Sequence, residues 1–168
     1  MVARWFMRNA TKYFLVAGFL CFSGSVFGEV VAQCSNPKGF GYYPYMGLVP
    51  EKSKDGIQAG WNEETIDGGM FQLNKVDDNN FDILFVDATK QIISSVADGG
   101  VVIKNSSDAD SASFVVIYPR KTIEIYTFLK DKNGKYEYTH VTSRAGDQVP
   151  IIKTSVMRGD CKPIDFAE

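Results

Sequence analysis

The chain is poor in the residues that most often carry chemistry. It has one histidine, His140, and three cysteines, Cys21, Cys34 and Cys161, in 168 residues. A lone imidazole with two thiols cannot fill a four-ligand zinc site unless carboxylates join it. No C-x-x-C pair is present, so the redox-dithiol motif is absent. No serine sits in a G-x-S-x-G elbow, which removes the commonest hydrolase signature. No apolar run reaches the roughly 20 residues of a membrane-spanning helix. Neither charge dominates: 18 Lys and Arg stand against 20 Asp and Glu. That balance argues against nucleic acid or an anionic membrane as general partner.

What is present begins at the N-terminus. Arg4, Arg8 and Lys12 precede an apolar run from Tyr13 to Phe27, and small or aliphatic residues follow. Basic start, short apolar middle and small-residue exit make a secretory signal peptide, expected to span residues 1–32 and to be cleaved. Cleavage after Gly28 or after Ala32 satisfies the small-residue rule; Ala32 is the closer to A-x-A. Neither Cys21 nor Cys34 follows a small residue, so lipid attachment and a stable membrane anchor are not expected. Loss of residues 1–32 removes three basic residues and one acidic one, which moves the net charge from −2 to −4. The chain is expected to be periplasmic or secreted, with a bacterial source favoured.

The same cut removes Cys21 and leaves Cys34 and Cys161. Two thiols in an oxidising compartment pair, and this pair would join the two ends of the domain. The bridge is expected to be structural, since no neighbouring base favours a reactive thiolate.

About 136 remaining residues suit one domain. Residues 33–55 read as irregular, because Pro37, Gly39, Gly41, Pro44, Gly47 and Pro50 recur too often for a regular element. Residues 56–168 read as antiparallel β, with strands near 57–61, 69–76, 80–87, 91–97, 100–105, 112–118, 121–130, 135–143 and 151–157. The segment 88–97 also fits a helix capped by Asp87, and the strand is preferred. Asn133-Gly134 predicts a hairpin between 121–130 and 135–143. Pro119-Arg-Lys and Asp78-Asn79-Asn80 predict two more. The expected fold is all-β: eight or nine short strands, meander-like, closed as a barrel or stacked as a sandwich. In strand 121–130, Ile123, Ile125, Thr127 and Leu129 share one face; Glu124, Tyr126 and Phe128 share the other.

Candidate functional residues are few. Asp77–Asp82, Asp108–Asp110 and Asp131–Gly134 resemble pieces of calcium loops, yet turn chemistry accounts for each. Neither metal nor cofactor is expected. Phe40, Tyr42, Tyr43 and Tyr45 form an aromatic cluster that Tyr126, Tyr136 and Tyr138 extend, and these seven are the expected binding surface. His140 is the one candidate base.

From Tyr118-Pro119 to Cys161 the chain carries Ile123-Glu-Ile-Tyr-Thr-Phe128, a turn, a long strand and Val156-Met-Arg-Gly-Asp-Cys161. This third of the chain resembles the tail of small exported bacterial proteins of unknown function. The resemblance implies a bacterial exported origin and carries no catalytic residue. Periplasmic lysozyme inhibitors agree in size and class, but their Ser-Gly-x-x-Tyr loop is absent; Ser143-Arg-Ala-Gly146 does not fit it. The expected function is a non-enzymatic exported β-domain that binds a protein or cell-envelope component. A carrier with an internal pocket for a small apolar ligand is the alternative, and a His140-dependent hydrolase comes third.

Overall fold

A computed structural model of the chain describes residues 28–46, 48–54, 56–86 and 89–166. Ten strands run through them: β1 (Glu29–Tyr43), β2 (Gly60–Thr65), β3 (Met70–Lys75), β4 (Phe81–Val86), β5 (Ile92–Ser94), β6 (Val101–Ser107), β7 (Ser111–Tyr118), β8 (Thr122–Lys130), β9 (Tyr136–Arg144) and β10 (Lys153–Cys161). All ladders are antiparallel. The order is β5-β4-β3-β1-β10-β9-β8-β7-β6, with β2 also on β1. Sequential hairpins make a meander, β1 and β10 join its two ends, and the sheet curls into a half-barrel. All three predicted hairpins form, as β8–β9, β7–β8 and β3–β4.

The expectation of an irregular segment at 33–55 is overturned over its first half. β1 is the longest strand, 15 residues. Its prolines and glycines sit where a strand tolerates them. The register shifts between Ser35 and Lys38, and Asn36 there has φ 56°. A bulge accommodates both that left-handed residue and Pro37, which has no N–H to give. The bulge is also a switch of partner. Before it β1 pairs with β3; after it β1 pairs with β2. The β2–β3 connection closes over the bulge, with Ile66 N–H donating to the Pro37 carbonyl and Asn36 N–H to the Gly69 carbonyl. Gly39 is needed for close approach: a Cβ there would lie 2.0 Å from the Val156 carbonyl oxygen.

Two other segments meet the expectations differently. Cleavage after Ala32 would cut into β1, whose residues Glu29, Val30 and Ala32 pair with β3 and whose Ala32 is buried. Cleavage after Gly28 would leave β1 whole. The rest of the expected signal, residues 1–27, lies outside the described residues. At 88–97 the strand is only Ile92–Ser94, and a turn follows it. The Asp82 carboxylate fixes that turn by accepting from Ser94 Oγ (2.6 Å) and Val96 N–H (3.2 Å). Asp87, the expected helix cap, lies outside the described residues.

The interior is filled by rings. Tyr126, Tyr138, Phe114 and Phe128 are fully buried beside Leu73, Ile83 and Val116. Phe71 reaches from β3 to contact Tyr126, Tyr138 and His140 at centroid distances of 5.2–5.4 Å. The tail after β10 folds under one end of the half-barrel, burying Ile164 and stacking Phe166 on Tyr136. Cys34 and Cys161 form a disulfide between β1 and β10.

Candidate functional site

Strand alternation sorts the seven expected binding residues into two groups. Phe40 and Tyr42 point outward from β1 and are exposed, and Tyr45 is exposed just beyond its end. Tyr43 points inward and is buried, as are Tyr126 and Tyr138. Tyr136 is half-buried beside Phe166. The expectation that Tyr43, Tyr126 and Tyr138 form a surface is therefore corrected. Each occupies an inward position of a strand whose alternate residues face out, and a ring there fills the core.

The outer face presents a different set. The ladders align Val101, Ile117, Ile123, Ser143, Thr154, Tyr42 and Trp61 in one cross-strand row over β6-β7-β8-β9-β10-β1-β2. The next row holds Ile103, Val115, Ile125, Val141, Val156, Phe40 and Glu63. Eleven of these fourteen side chains are apolar or aromatic. Trp61 is 66% exposed, Val101 53%, Phe40 52%, Ile123 50% and Val156 49%. Single exposed apolar residues are ordinary, whereas a contiguous patch marks an interaction face. At the aromatic end the patch dips into a groove of about 560 Å³, with Phe40 and Val156 in its wall and Lys38, Arg158, Glu63 and Thr65 around them. Tyr42 and Trp61 rings meet beside it at 5.4 Å. Sequence reading missed Trp61, Val156 and the outward isoleucines. The alternation in β8 was legible, but which face turns outward depends on the neighbouring strands.

Inside, a polar cluster surrounds the one histidine. Tyr126 Oη donates to Glu124 Oε2 at 2.8 Å. His140 stacks on Tyr126 (4.4 Å, 18°) with Nε2 3.0 Å from Thr142 Oγ1 and 3.8 Å from Glu124 Oε2. The last distance is an ion-pair contact, too long for a hydrogen bond. Burial by itself pushes the Glu124 carboxyl up; adjacent His140, the Tyr126 hydroxyl and the Arg144 charge outweigh it and hold the group below its ordinary range. The Tyr126 hydroxyl is pushed well up by burial and by the Glu124 carboxylate. A hydrolytic relay needs the acid on one ring nitrogen and the hydroxyl on the other. Here both converge on Nε2, and Nδ1 is buried with no partner among the described residues. The cluster is built as a buried brace between β8 and β9.

A second brace ties β2 to β10 across β1. Glu64 lies over Gly41 and accepts from Lys153 Nζ (2.8 and 2.9 Å) and from the Tyr43 hydroxyl. Burial, then Glu64, pushes the Tyr43 phenol up. Glu63 and Glu64 thus face opposite sides of β2, one outside and one inside.

The three aspartate turns hold themselves. Asp77 accepts from Asn79 and Asn80 N–H, Asp108 from Asp110 and Ser111 N–H, and Asp131 from Asn133 and Lys135 N–H. Each carboxyl titrates below its ordinary range, led by the Asn80 side chain for Asp77, Asp110 N–H for Asp108 and Lys135 N–H for Asp131. No group of three or more metal-ligating side chains stands together among the described residues.

The disulfide is compatible with an extracellular or periplasmic location. No helix among the described residues is long and apolar enough to cross a membrane. No protein-family model, no curated protein and no solved structure matches the chain.

Proposed function

We propose that the chain is an exported, non-enzymatic binding domain that engages a protein or cell-envelope partner through the outer face of β6-β7-β8-β9-β10-β1-β2. The supporting observation is the pair of apolar rows continuous across seven strands. Folding buries the Tyr and Phe face of β8 and leaves Ile123 and Ile125 exposed. Two rows extend only about 7 Å along the strands, against the ~25 Å apolar band of a membrane barrel. That height suits a docking face rather than a lipid-spanning wall. The ring-filled interior favours this reading over a carrier with an internal pocket.

The test is site-specific photocrosslinking in exporting cells. A photoreactive residue at Ile125 or Val156 should yield adducts, while one at Ser113 or Thr127, on the polar row beside them, should yield none. Equal labelling from both rows, or none from either, sinks the reading.

A further inference from the structure

One end of the half-barrel carries exposed apolar loop tips among basic side chains, and we infer that this end docks on the surface of an anionic lipid bilayer. The contact lies off the outer face and does not depend on the reading above. β1 and β10 are antiparallel neighbours, so the loop that leaves β1 (44–59) and the loop that enters β10 (145–152) meet at the same end. Pro44, Met46 and Leu48 from the first and Val149, Pro150 and Ile151 from the second line an apolar cleft of about 140 Å³. The β7–β8 connection joins them, with Ala145 N–H donating to the Lys121 carbonyl. Tyr45, Met46 and Leu48 are 65%, 63% and 73% exposed, although Val49 beside them is buried. A loop that anchors itself through one apolar side chain and leaves three larger ones in water presents a contiguous patch, the mark of a contact surface.

Charge and ring placement select a bilayer as the occupant. Residues 44–59, 119–121 and 144–153 hold six basic side chains and three acidic ones, in a chain whose net charge is −2. Arg120 pairs with Asp147 and Lys153 with Glu64. Lys52, Lys54, Lys121 and Arg144 stay exposed around the apolar tips. The near balance of the whole chain conceals this positive end. Tyr42 and Trp61 stand beside the tips, at the ends of β1 and β2, with their rings in contact. Apolar tips suit the acyl boundary of a bilayer, amphipathic rings suit its headgroup region, and basic side chains suit its anionic surface. A contact made by loop tips alone is shallow, within the ~5–10 Å reached by interfacial segments, and reversible.

Flotation of the exported chain with vesicles tests the docking. Vesicles of equal parts phosphatidylglycerol and phosphatidylcholine should carry the protein at up to about 1 mM lipid, the weak end of the affinity scale. Pure phosphatidylcholine vesicles should carry about fivefold less. Raising salt from ~0.1 to ~1 M shortens the screening length from about 10 to about 3 Å and should release most of the bound protein. Met46→Asp with Leu48→Asp and, independently, Lys52→Glu with Lys54→Glu should each weaken binding about tenfold. All four side chains are exposed, so neither pair should lower the melting temperature. Ile125→Asp, on the outer face, should bind as the parent does. Protein left unbound by the anionic vesicles at every lipid concentration overturns the inference. So does binding that ignores lipid charge, survives both double variants or is lost in Ile125→Asp. A photoreactive residue at Leu48 that yields protein adducts and no lipid adducts in exporting cells overturns it too. Crosslinks from Ile125 to another protein would still stand in those cases, so the bilayer contact can fail while the binding-face reading survives.

Discussion

Cys34 and Cys161 face each other directly across β1 and β10, at a Cα separation of 3.9 Å. Lys162 N–H donates to the Gln33 carbonyl next to them, so the cysteines occupy the closer, non-hydrogen-bonded kind of pair. Their bond joins the first strand of the meander to the last, across 127 residues of chain. The register would hold the strands together without it; the bond limits how far the unfolded chain can open. Replacing both cysteines with alanine should leave the far-ultraviolet dichroism native and lower stability by up to about 5 kcal/mol, the chain-entropy ceiling for a loop this long. Urea midpoints of the two forms measure the difference. Equal midpoints would mean the bridge contributes nothing to stability.

Glu124 makes stability acid-sensitive. Its carboxyl titrates below the ordinary range in the folded chain, so it stabilises the fold above the unfolded value and that contribution is lost as pH falls through the folded value. The loss should begin near the ordinary Glu value of about 4.3 and grow toward lower pH. Glu124→Gln removes the titration and keeps an acceptor for the Tyr126 hydroxyl. The variant should be less stable than the parent at pH 7 and approach it at pH 3. A gap of the same size at both pH values would exclude Glu124 as the source.

Eight of the ten strands were legible, because β-branched and aromatic runs between Asn, Asp and Gly clusters are local signals. β2 was legible only at its first two residues, since 57–61 was expected where Gly60–Thr65 forms. β1 was not. Pro37 and Gly39 argue against a strand by propensity, and only the finished fold shows that Pro37 fills a bulge and Gly39 meets the Val156 carbonyl. The disulfide was legible because only two cysteines remain once the expected signal is removed. The binding surface was only half legible. Phe40 and Tyr42 lie outside while Tyr43, one residue on, lies inside, a difference that alternation predicts only once β1 is known to be a strand. Trp61 becomes conspicuous only through its register with Tyr42.

Inversion of the usual faces in β8 makes a contrast within one strand. Ile125 is 40% exposed and Phe128 fully buried. Ile125→Thr should change stability by no more than about 0.5 kcal/mol, as surface substitutions do. Phe128→Ala should cost about 3–5 kcal/mol through the cavity it leaves. Chemical denaturation of the two variants separates the cases. A large loss at Ile125 would show that face to be covered within the monomer.

Two buried tyrosines on neighbouring strands should respond oppositely to loss of a hydroxyl. Tyr126 donates to Glu124, whereas the Tyr138 hydroxyl is buried with no hydrogen-bond partner among the described residues. A buried polar atom without a partner costs free energy, and removing it returns that penalty. Tyr138→Phe should therefore be neutral or stabilising by up to ~1 kcal/mol, since the ring that contacts Phe71 is kept. Tyr126→Phe keeps its ring as well but takes a donor from a buried carboxylate, and should cost about 1–3 kcal/mol. It should also raise the pH at which acid unfolding begins, because Glu124 then ionises less readily. Thermal melts at pH 7 and pH 4 measure both effects. Equal losses from the two variants would mean that the Tyr138 hydroxyl has a partner in solution and that the asymmetry between the two rings is not real.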